Sequence, residues 1–156
     1  MGVPELIGSA ALIPNPALRP FEMLVGEWRT TGMHSLMPDT TFHGRTSFSW
    51  HEGGAFLLMR SEMDQSEIPS GVAVFGSDDA AGTVVMVYFD ERGVSRQYDV
   101  TLTNNRLVWA RDEAGFAQRN TLVIDEDGSR MVGTGEMSRG GGDWEGDLSL
   151  SYDRIR

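Results

Sequence analysis

Turn-forming residues recur along this chain at nearly even intervals, and no other feature restricts its fold as strongly. Clusters fall at Ser77–Gly82, Asp90–Gly93, Thr103–Arg106, Asp112–Gly115, Asp125–Ser129 and Arg139–Asp143. Each is rich in Gly, Asn, Asp or Ser, which accept positive φ or close local side-chain turns. Between them lie segments of about 9–12 residues enriched in β-branched and aromatic side chains, the spacing of a sandwich or barrel. The segments alternate as strands do. In Gln97–Leu102, Tyr98, Val100 and Leu102 share one face. From Trp144 to Tyr152, Trp144, Leu148, Leu150 and Tyr152 are expected on one face, with Glu145, Asp147, Ser149 and Ser151 on the other.

Earlier strands are expected near Val25–Met33, Thr41–Glu52, Ala55–Gln65 and Gly71–Ser77, with Glu52-Gly53-Gly54 as a hairpin turn, giving about ten in all. Pro16–Leu24 is the one helical candidate, its proline suiting a first helical turn. It is short enough to cap one end of a barrel. Ten strands joined by short turns most simply close on themselves, because closure removes exposed sheet edges. A sandwich would need longer crossings, for which Gly32–Thr40 and Asp64–Ser70 are the available stretches. The expected fold is therefore all-β: a closed antiparallel up-and-down barrel with one short N-terminal helix. Residues 1–16 read as an arm and 17–156 as the barrel domain.

Composition narrows the function classes. At 156 residues the chain is one domain, expected to bury roughly 68–70% of its unfolded surface. Cysteine is absent, which excludes disulfides and thiolate metal sites. The net charge is −10, which disfavours nucleic acid and anionic lipid as partners. No apolar run approaches the roughly 18 residues of a membrane span. Met1 to Pro16 lacks a basic start and carries Glu5, unlike a signal peptide, and a cytoplasmic location is expected. A homodimer is left open.

At Gly26-Glu27-Trp28 the chain resembles the Gly-x-Trp opening of calycins, a superfamily that includes lipocalins, fatty-acid-binding proteins and nitrobindins. The resemblance implies that Trp28 closes one barrel end and that an arginine of the last strand, here Arg154, packs across its ring. The run Trp109-Ala110-Arg111-Asp112-Glu113-Ala114-Gly115-Phe116-Ala117-Gln118-Arg119, with Asp127-Gly128, Gly133, Glu136 and Trp144-Glu145 after it, is similar to a family of uncharacterised bacterial calycin-like proteins. That likeness covers residues 20–156 and implies the fold without an activity. Nitrobindins hold ferric haem through a histidine near the C-terminus. The histidines here are His34, His43 and His51, so no haem, and no other cofactor, is expected.

Other chemistry finds little support. His43 and His51 lie about 26 Å apart on a straight strand, too far to share an ion, and no metal site is expected. Asp125-Glu126-Asp127-Gly128 lacks the remainder of a calcium loop. Gly140-Gly141-Gly142 is followed by no helix start or P-loop lysine. Lysine is absent altogether, which removes Schiff-base mechanisms, and no Gly-x-Ser-x-Gly elbow occurs.

What remains is a set of arginines and polar aromatics within strand-like segments. Arg96 and Tyr98 share a face, and Arg-x-Tyr resembles the carboxylate grip that fatty-acid-binding proteins carry on their final strand. Trp109 and Arg111 likewise share a face. Across the Asp112–Gly115 turn, Gln118 is expected near Trp109 and Phe116 near Arg111. A planar guanidinium beside a phenol suits an anionic head group, with aromatic walls for an apolar body. The expected function is binding of a small hydrophobic or amphipathic ligand in the lumen. Arg96, Tyr98, Arg111 and Gln118 would orient it; Trp50, Phe89 and Trp109 would line the cavity. The alternatives are an isomerase- or cyclase-type enzyme using Glu136, Asp99, Tyr98 or His51 as acid or base, and a haem protein ligated by His51.

Overall fold

A computed structural model describes residues 13–78 and 81–156; the expected arm at residues 1–16 falls mostly outside the described residues. Ten antiparallel strands follow one another: β1 Gly26–His34, β2 Met37–His51, β3 Phe56–Met63, β4 Gly71–Asp78, β5 Thr83–Asp90, β6 Ser95–Thr103, β7 Arg106–Arg111, β8 Phe116–Ile124, β9 Arg130–Arg139 and β10 Glu145–Arg154. Each pairs with its neighbours in sequence, and β1 pairs with β10 from Trp28↔Arg154 to His34↔Leu148, closing the barrel. No helix among the described residues is long and apolar enough to cross a membrane.

The β1–β2 connection is short, as in an up-and-down barrel. Gly32–Thr40 provides no crossing, because β1 and β2 run on as a hairpin around Ser35 and Leu36. Asp64–Ser70 is the long connection, between β3 and β4.

The two ends of the barrel differ. At one, Pro16–Leu24 forms a 3-10 helix whose first turn is capped by Asn15, its side chain accepting from the Ala17 N–H at 3.0 Å. Pro20 lies inside it, and a residue without an N–H cannot continue an α-helical ladder. Leu18, Phe21 and Leu24 are fully buried and join Trp28, Phe48, Leu57 and Phe75 in the core. Phe75 stands 5.9 Å from the Phe21 ring and 6.4 Å from Phe48. This plug fills the end that the helix covers.

The same end is tied by Arg154. Its guanidinium lies 4.1 Å above the Trp28 ring, and it donates to the carbonyls of Met23, Val25 and Gly128 at 2.7–2.8 Å. The Trp28 indole N–H donates to the Leu24 carbonyl at 2.9 Å. A planar fork that stacks and reaches three carbonyls at once is a task only arginine can perform. It joins helix, first strand, last strand and the β8–β9 turn.

Candidate functional site

On the other half of the barrel no helix fills the interior, and the inward side chains leave a cavity of about 720 Å³. Its floor is formed by Met86, Leu122, Leu150 and Tyr152, its mouth by the Asp64–Ser70 connection, the β1–β2 hairpin and a group of arginines. Two lumen-facing glycines on β9 make room. A Cβ on Gly133 would come within 2.8 Å of Leu122 Cδ1, and one on Gly135 within 2.8 Å of Asn120 Oδ1. Glycine inside a strand commonly marks such a place, where something must approach closely. The alternation Gly133-Thr134-Gly135 was the available sequence signal.

Arg96, Tyr98, Trp109, Arg111 and Gln118 all line this cavity. Gln118, 8% exposed, links several of them. Its Oε1 accepts from the Tyr98 hydroxyl at 2.6 Å and from Arg96 at 3.3 Å, and its Nε2 donates to Asp147 at 3.3 Å. The Arg96 guanidinium also lies 4.9 Å from the Phe116 ring centre, while Arg111 Nε donates to the Phe116 carbonyl at 3.2 Å. Burial pushes the Tyr98 phenol above its ordinary pKa, against the opposing pull of Arg96 and Arg111.

The pairing differs by two residues from the expected one. Gln118 stands opposite Arg111, and Trp109 opposite Asn120. Arg111↔Gln118 is the last β7–β8 pair, so Asp112 to Ala117 all lie beyond it, and Phe116 and Ala117 pair with β9 instead.

Two expected wall residues do not line the cavity. Phe89 is 47% exposed: Met86 and Tyr88 point inward on β5, and strand alternation turns Phe89 out. Trp50 packs against the core cluster that contains the helix residues, away from the cavity lining. Among the acid–base candidates only Tyr98 lines the cavity. Asp99 is exposed, Glu136 is paired with Arg119 on the outer face, and His51 is exposed, with its ring stacked on Phe56. A haem in this cavity therefore cannot take His51 as its ligand.

His34 and Asp147 complete the site, and alternation had assigned Asp147 to the outside. The register between β9 and β10 shifts between Gly146 and Ser149. This bulge sets two residues against one, so Asp147 and Leu148 both line the cavity. Beyond the bulge the expected face no longer continues, and Trp144 lies outside with Arg119 4.0 Å from its ring. Asp147 Oδ1 meets His34 Nε2 at 2.8 Å. His34 Nδ1 accepts the Leu36 backbone N–H at 3.0 Å, so in this arrangement the ring proton sits on Nε2, facing the carboxylate. Both ring nitrogens are thus engaged. Ser35 fastens the same hairpin, its N–H donating to the Asp147 carbonyl at 2.9 Å and its hydroxyl to that of Gly146 at 2.6 Å. Among the described residues no group of three or more His, Asp or Glu could hold a metal ion.

Charge at the mouth runs against the whole. Arg92, Arg96, Arg111 and Arg139 line the cavity beside two carboxylates, Glu67 and Asp147. Arg92 is neutralised by Asp90 at 2.7 Å. Arg92 hydrogen bonds, helped by the Tyr88 hydroxyl, hold the Asp90 carboxyl down to about 2. Arg96, Arg111 and Arg139 form no ion pair among the described residues.

No protein-family model and no curated protein matches this chain. Solved structures do. Rv2717c from M. tuberculosis superposes with a TM-score of 0.65 at 16% identity, over 90% of this chain and 98% of that one. A protein of unknown function from the DUF3598 family of Nostoc punctiforme gives 0.58 at 9% identity, over 85% of this chain and 48% of that one. Such identities establish the fold and leave function to the site.

Proposed function

We propose that the barrel binds a small amphipathic anion, with its charged end at the arginine-lined mouth and its apolar body toward the floor. One observation carries this reading. In a lysine-free chain of net charge −10, three arginines without carboxylate partners among the described residues stand around one cavity. Unpaired guanidiniums in a partly enclosed space are a standing attraction for carboxylate or phosphate, and the floor offers methionine and leucine to an alkyl or aromatic body. A calycin-type relationship is compatible with this use of the lumen.

Titration with dodecanoate and dodecanol, followed by calorimetry, tests it. Arg96→Gln or Arg111→Gln should weaken dodecanoate about tenfold or more, the worth of a charge-assisted hydrogen bond, and dodecanol little. Equal losses for both ligands would remove the proposed role.

A second reading, acid–base catalysis in the same cavity, rests on Asp147, a lumen carboxylate oriented by the His34 N–H. Under it, a ligand copurifying with wild-type protein should differ in mass or connectivity from one copurifying with Asp147→Asn. The same compound on both proteins sinks the catalytic reading and leaves the binding one.

A further inference from the structure

Tyr152 is the least explained polar group in the lumen. It is 2% exposed and lines the cavity, yet its hydroxyl has no hydrogen-bond partner among the described residues, while every fully enclosed side-chain polar atom there has one. What little of the residue is accessible therefore includes the hydroxyl and faces the cavity. The ring leans toward Gly133, with Cε2 3.6 Å from where a Cβ on that residue would sit. A side chain at Gly133 would press on Leu122 and lie against the edge of this ring. The nearest polar side chain on β1, Thr30 opposite Tyr152, is already committed to Thr46 at 2.7 Å. The hydroxyl is therefore a donor available to a polar atom that enters the lumen.

Resting on the binding reading above, we infer that the occupant is bifunctional: besides its charged end it carries, at the far end, an uncharged oxygen that hydrogen-bonds the Tyr152 hydroxyl. The far group is uncharged because no cation reaches the floor. Arg154, two residues on, is turned to the Trp28 face and three backbone carbonyls, and Met131, Leu122 and Leu150 complete the surroundings. Burial alone raises the phenol's pKa, with no positive group opposing it, unlike Tyr98 at the mouth. The cavity thus carries arginines at its mouth and a phenol at its floor, with Asn120 on the wall between them. Four strand steps, Leu148 to Tyr152 on β10, are roughly 13 Å, the scale on which the ligand lengths below are chosen.

The test compares unsubstituted carboxylates with their ω-hydroxy and ω-keto counterparts, from about eight to about fourteen carbons, a range that brackets this span. Wild-type protein should prefer an ω-oxygenated acid of matched length about tenfold, the net value of one good hydrogen bond. Tyr152→Phe keeps the ring and its packing, so it should retain the unsubstituted acid's affinity and the thermal midpoint while losing the preference. No preference in wild type at any length, or a preference that survives Tyr152→Phe, overturns the inference while leaving the binding reading intact. If wild type binds no acid of either kind, the binding reading falls too.

Discussion

Asp90 is a carboxylate whose surroundings are fully occupied. Arg92 grips it from two residues away and the Tyr88 hydroxyl donates to it at 2.7 Å, holding its pKa near 2 against an ordinary 3.8. A folded-state pKa below the unfolded one means stability that is complete above about pH 4 and lost as pH falls toward 2. Asp90→Asn should therefore flatten the dependence of the urea midpoint on pH between about 4 and 2. Parallel curves for wild type and variant would show that the pair contributes nothing. Gln118 illustrates what single residues disclosed in advance. Its place near the arginines was legible, because Arg96, Tyr98, Arg111 and Gln118 stand on alternating positions of adjacent strands. Its role as the link from Tyr98 to Asp147 was not, since that link runs through a residue alternation had turned outward.

At the level of the strands, the turn clusters located β5 to β10 to within a residue or two, because Gly, Asn and Asp punctuation acts locally. Register was less accessible. It depends on how many residues each loop consumes, and a shift of one exchanges the two faces. The bulge in β10 is the sharpest instance: one extra residue brought Asp147 into the lumen and left Trp144 outside. Phe89 erred for a related reason, β5 being apolar on both faces so that composition could not choose between them. The strand β9 gives a direct test of the cavity. Gly133→Val fills the space before Leu122 and Tyr152, and should lower dodecanoate affinity at least about tenfold while costing roughly 1–3 kcal/mol in overpacking. Undiminished binding would place the ligand elsewhere.

For the whole molecule, closure was legible because ten short strands with brief turns have no simpler way to satisfy their edges, and Pro16–Leu24 was already recognisable as the piece left to cover an end. The plug and the cavity divide the interior between them. Removing a large plug side chain tests whether that division matters: Phe21→Ala should cost about 3–5 kcal/mol, seen as a lower thermal midpoint. Loss of stability without any change in the kinetics of ligand release would mean that the covered end stays shut even when loosened.

The helix and the Trp28–Arg154 clasp give the barrel a back wall. If the lumen is used as proposed, its occupant has one way in and out, past the arginines of the mouth. The Ser35–Leu36 hairpin, pinned to the carbonyls of Gly146 and Asp147, stands beside that single doorway.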